Sequence, residues 1–74
     1  MAPWQVVKRE AVSSRAIKTV GYRNETLEIE FPDGDVYRYF GVPRLVFLQL
    51  IRAESMGAFF NERIRDRYPS EGPL

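Results

Sequence analysis

The sequence contains no cysteine and no histidine. The first absence excludes disulfide staples and thiolate nucleophiles, the second excludes Ser-His-Asp relays, and together they exclude zinc sites built from Cys and His. Also missing is an apolar run of the roughly 18 to 20 residues that a membrane-spanning helix needs. Met1-Ala2-Pro3-Trp4 has neither the basic flank nor the long apolar stretch of a secretion signal, so the expectation is a cytoplasmic protein. Glycine-rich phosphate cradles are absent too. Gly21, Gly34, Gly41, Gly57 and Gly72 stand apart, in no Walker or dinucleotide pattern.

What is present suits one small domain. A chain of 74 residues buries only about 60% of its unfolded surface and supports a single core. The apolar share of 45%, with one Trp, four Tyr and five Phe, gives that core enough mass to fold alone, and a monomer is expected. Net charge is +1 but unevenly spread. Lys8, Arg9, Arg15, Lys18 and Arg23 face only Glu10 between positions 8 and 23, a balance of +4. Glu25 to Asp35 carries five acids and no base. Such blocks could give a dipolar surface or the mixed surface usual for small domains.

Thr26-Leu27-Glu28-Ile29-Glu30-Phe31 alternates polar and apolar residues with the period of a half-buried strand. Pro32-Asp33-Gly34 follows, with proline suited to the second turn position and Gly34 to the left-handed conformation that closes a three-residue hairpin loop. With Phe31 opposite Asp35, Ile29 falls opposite Tyr37, Glu28 opposite Arg38 and Leu27 opposite Tyr39 on the return strand Val36 to Phe40. That register turns both tyrosines toward a core and leaves Glu28 and Arg38 as a pair on the solvent face, worth about 0.2–1 kcal/mol. Upstream, Ile17 to Tyr22 reads as a strand and Arg23-Asn24-Glu25 as a second hairpin connection. Trp4-Gln5-Val6-Val7 either adds a fourth strand or lies as an arm on the core.

Gly41-Val42-Pro43 ends the sheet, and Pro43 suits the first position of a helix running to about Glu54. At 100° per residue, Val46, Phe47, Leu50, Ile51 and Ala53 share the face toward the sheet, while Arg44, Gln49, Arg52, Leu45 and Leu48 look away from it. Ser55 suits the N-cap of a second helix with Met56, Phe60, Ile64 and Tyr68 as its apolar stripe. Residues 69–74 have the composition of a frayed tail. The fold class is therefore α+β: an antiparallel meander of three or four strands, then two C-terminal helices packed on one sheet face.

Val12-Ser13-Ser14, Ile17, Gly21-Tyr22, Leu27, Phe31, Gly34, Tyr37-x-Tyr39, Val42-Pro43, Ser55-x-Gly57, Phe59-Phe60-Asn61, Ile64-Arg65 and Tyr68 together resemble the KTSC domain. That family is named for the C-terminal extension of some lysyl-tRNA synthetases and also occurs as small free-standing bacterial proteins. The resemblance covers residues 12–68, leaving 1–11 as an arm or extra strand, and the synthetase context implies RNA as a partner.

The paired carboxylates do not suggest catalysis: Glu28 and Glu30 alternate toward solvent, and Asp33 and Asp35 belong to a turn. Asp33-Gly34-Asp35 lacks the spaced ligands of a calcium loop. Ser13 and Ser14 have only Lys18 as a local base and suit backbone hydrogen bonding. The expectation is a non-catalytic binding module with no metal and no cofactor. Its candidate RNA contacts are Arg15, Lys18, Arg44, Arg52, Asn61 and Arg65, because arginine forks suit phosphate. The alternative is a protein-interaction module using Trp4, Leu45 and Leu48 as an apolar patch.

Overall fold

The computed structural model describes residues 8–74; the expectations for Trp4 and the segment around it lie outside the described residues. Five antiparallel strands, β1 (Arg9–Ala11), β2 (Thr19–Arg23), β3 (Thr26–Glu30), β4 (Val36–Phe40) and β5 (Ser70–Glu71), form one sheet in chain order. Two helices, α1 (Arg44–Arg52) and α2 (Met56–Arg63), come between β4 and β5. The meander, the two following helices and the α+β class are as the sequence indicates. The differences are at the sheet edges. Residues 69–74, expected as a frayed tail, instead place Ser70 opposite Tyr39 and Glu71 opposite Arg38, and the Leu74 N–H donates to the Val36 carbonyl at 2.8 Å.

The β3–β4 hairpin has the register expected from its turn: Leu27, Glu28 and Ile29 lie opposite Tyr39, Arg38 and Tyr37. Phe31 donates its N–H to the Asp35 carbonyl, Gly34 donates to that of Phe31, both at 2.9 Å, and Gly34 takes φ +93°. Between β2 and β3 the loop is only Asn24-Glu25, with φ of 50° and 61°, the two left-handed residues of a type I′ turn. Asparagine accepts that conformation readily; glutamate does so at a cost of about 1–2 kcal/mol. Glu25→Gly is therefore expected to raise the unfolding free energy by about 1 kcal/mol, read as a higher urea midpoint at unchanged m-value. The backbone carbonyl of residue 25 still accepts the Val42 N–H, 2.9 Å away.

Ile17, Val20, Leu27, Ile29, Tyr39, Val42, Leu50, Met56, Phe60 and Ile64 form the core. Pro43 stands at the cap of α1, one position earlier than expected, and its carbonyl accepts the Val46 N–H. Ser55 caps α2 as its side chain suggests, its Oγ accepting the Ala58 N–H at 3.2 Å. The amphipathic assignment of α1 needs one correction. Leu50 is buried and Phe47 stacks on Tyr22 at 4.7 Å, but Ile51 is 41% exposed. It stands at the rim of a groove between α1 and the β1–β2 side of the sheet, beside Val12 and Phe47.

A second correction concerns the helix-free sheet face. The registers place Arg9, Gly21, Glu28, Arg38 and Glu71 in one row across all five strands. Because Gly21 has no side chain, Arg9 reaches over β2 and donates from Nη1 to Glu28 Oε1 at 2.7 Å. Arg38 Nε lies 3.7 Å from the other Glu28 oxygen, and Arg38 Nη1 lies 3.8 Å from Glu71. Glu28, expected to face solvent, is only 4% exposed. Two residues further along, Glu30 accepts from the Thr19 hydroxyl at 3.0 Å and lies 3.8 Å from Lys18 Nζ. The basic and acidic blocks of the sequence thus partly neutralise each other across strands, which weakens any dipole they could make.

Candidate functional site

On the helix side, a cavity of about 550 Å³ opens between α2 and β4. The two-residue spacing of Tyr37 and Tyr39 on β4 sends both toward the helices, and Phe31, just past β3, joins them. Phe60 on α2 meets the Phe31 and Tyr39 rings edge-on, with centroids 5.5 and 5.3 Å away, and Phe31 meets Tyr37 in the same manner at 5.8 Å. Tyr39 is 5% exposed and Tyr37 half-buried, the core-facing placement that the hairpin register dictates. Gly57 lets α2 close on the segment before β2, since a Cβ there would sit 2.7 Å from that of Ala16.

Polar groups stand at the mouth. Helix α2 stops at Arg63, and the Ile64 and Arg65 N–H groups both donate to the Phe60 carbonyl, at 3.0 and 2.9 Å. This tightened end keeps Arg65 near Asn61, and both line the cavity together with Asp66. Among the described residues, no hydrogen bond or ion pair engages the side chains of Asn61, Arg65 or Asp66. Glu62, a possible local partner for Arg65, contributes its carbonyl to Arg67 Nε at 3.1 Å.

Burial pushes the Tyr39 phenol above its ordinary range; Tyr37 adds to the rise, Arg65 opposes it and Asp66 adds again. Burial likewise raises Tyr22, with Glu25 adding and Arg44 opposing, and the Tyr22 hydroxyl donates to the Val42 carbonyl at 2.7 Å. A raised phenol means that the native state holds its proton more tightly than the unfolded chain. The associated stability is complete below the ordinary tyrosine pKa and is lost as pH rises through the raised one. Urea midpoints at about pH 8 and about pH 11, on either side of the ordinary value of about 10, should show a smaller alkaline loss for Tyr39→Phe than for the parent.

The remaining sequence candidates are dispersed. Arg15 lines a neighbouring cavity of about 480 Å³ between the Val12–Ala16 loop and the α1–α2 connection. There Ser14 Oγ accepts the Ala16 and Ile17 N–H groups at 3.1 and 3.3 Å, the backbone role expected of it. Arg44 and Arg52 are exposed at opposite ends of α1, and Lys18 is turned to Glu30. Leu45 is 64% exposed, whereas Leu48 is half-buried. Among the described residues no group of three or more acids gathers as a metal would require, and no helix is long and apolar enough to cross a membrane. Sequence reasoning passed over Asp66, since the charge-rich run Glu62 to Arg67 reads as helix surface and carries no sign that the helix ends within it.

The KTSC domain family model matches residues 13–68. The chain belongs to the KTSC domain family. A crystal structure of a KTSC domain protein from Yersinia pestis superposes with a TM-score of 0.84 at 34% identity, covering 89% of this chain and 96% of that one. An uncharacterized protein of Stutzerimonas stutzeri is 36% identical over 64 residues, 84% of this chain and 90% of its own. A lysine–tRNA ligase of Nostoc punctiforme is 42% identical over 57 residues, which is 74% of this chain but only 10% of the ligase.

Proposed function

We propose that this KTSC domain is a non-catalytic module that binds RNA through the arginines of its helical side. The support is a sorting of charge by the fold. On the sheet face Arg9 and Arg38 are held by Glu28, and Lys18 by Glu30. Among the described residues, no ion pair engages Arg15, Arg44, Arg52 or Arg65, all exposed on the helical layer or the loop beside it. Arg63 adds a further cation 5.9 Å over the Phe59 ring. Positive forks without internal partners suit phosphate oxygens, and the similarity to a segment of a lysine–tRNA ligase makes tRNA the natural probe.

Filter binding with tRNA tests this directly. About four phosphate contacts predict a roughly fiftyfold loss of affinity between 50 and 200 mM salt. Arg44→Ala, Arg52→Ala and Arg65→Ala should each weaken binding and flatten the salt slope. No retention of tRNA at low salt removes the proposal. The exposure of Leu45 favours a second mode, protein contact through α1. Association of that kind would be nearly indifferent to salt and would be lost in Leu45→Ser without unfolding.

A further inference from the structure

We infer that the cavity between α2 and β4 receives one unpaired base of the bound RNA; this rests on the RNA proposal above and assigns the part of the surface that reads a base. A volume of about 550 Å³ lies within the roughly 300–1,000 Å³ of small-molecule sites. Its floor is aromatic: the half-buried Tyr37 offers ring surface at the opening, with the buried Tyr39 and Phe60 rings beneath it. Unstacked bases are held by such side chains in sequence-reading RNA modules.

The polar groups at the mouth decide between a base and a phosphate. A site for phosphate alone would not carry a carboxylate, and Asp66 lines this one. A carboxylate only accepts, so it calls for N–H donors, which the edges of guanine, adenine and cytosine offer and a phosphodiester lacks. Asn61 brings both donors and an acceptor, enough to complete a base edge. Arg65, at the same mouth, supplies the positive charge for the phosphate of that nucleotide. The side chains of Asn61, Arg65 and Asp66 are all exposed and engaged in no hydrogen bond or ion pair among the described residues, so a ligand would displace only water from them.

The test compares two labelled single strands of equal length by fluorescence polarisation: a mixed-sequence oligoribonucleotide and its abasic counterpart, which keeps every phosphate and lacks every base. With the full chain, the abasic strand should bind at least tenfold more weakly. Asn61→Ala and Asp66→Ala should bring the base-bearing strand down toward the abasic level without weakening the abasic one. Arg52→Ala, remote from the cavity, should weaken both strands by the same factor. Thermal melts of the two surface variants verify that they remain folded. Equal binding of both strands, or base-dependent binding that neither cavity variant reduces, overturns the inference and leaves RNA binding standing. Failure of both strands to bind at low salt removes RNA binding, and the cavity assignment with it.

Discussion

Glu28→Ala is expected to lower the unfolding free energy by about 3 kcal/mol, the lower end of the cost of breaking a buried ion pair from one side. The carboxylate is 4% exposed and serves two cations, Arg9 at 2.7 Å and Arg38 at 3.7 Å. Deleting it takes the Glu28 carboxylate away from the Arg38 side chain, itself only 13% exposed, with Glu71 still 3.8 Å away. Arg9 keeps contact with water, its side chain being 34% exposed, which holds the penalty to the lower end of the range. For a chain of this length the total stability is roughly 4–11 kcal/mol, so the variant should sit near its folding limit at 37 °C. Glu28→Gln keeps the shape and an acceptor oxygen and should lose clearly less. Chemical denaturation of both variants measures the difference, and equal losses would mean that packing rather than charge compensation matters at this position.

Phe60→Ala is expected to cost about 3–5 kcal/mol, the range for removing a buried aromatic from a core. Phe60 holds α2 to the sheet: its ring contacts Phe31 and Tyr39 edge-on, and its carbonyl receives two N–H donors at the helix end. The backbone contribution survives substitution and the ring contacts do not. At roughly 4–8 °C per kcal/mol for a domain of this size, the melting temperature should fall by more than about 12 °C. Phe60→Leu retains most of the volume and should recover at least half of the loss. Should Phe60→Ala melt within a few degrees of the parent, the attachment of α2 would depend on Met56 and Ile64 instead.

The central hairpin was legible in the sequence because two independent signals agreed. Alternation from Thr26 to Phe31 set the inward face, and Pro32-Asp33-Gly34 set the loop length, so the register of Tyr37 and Tyr39 followed. Ser55 likewise announced α2. Strand β5 was not legible, and β1 only as the open choice of an arm or an extra strand over residues 1–11, since segments of two and three residues have no periodicity to read and exist only through what they pair with. The burial of Glu28 was hidden for a related reason. Alternation tells which face a side chain takes, but not that a glycine on the neighbouring strand will let a distant arginine cross and cover it. Arg65 and Asn61 were recognisable as neighbours by their four-residue spacing, whereas their cavity, and Asp66 beside them, depend on α2 ending at Arg63.

The outermost strands of the sheet have one more consequence. Exposed strand edges act as templates for runaway pairing between molecules, and short, charged margins are a common safeguard. Among the described residues, one margin is Arg9-Glu10-Ala11 and the other Ser70-Glu71, each too brief to seed an extended ladder with a second molecule. The hydrophobic central strands, which would otherwise be the adhesive part of this chain, are thereby fenced off from aggregation.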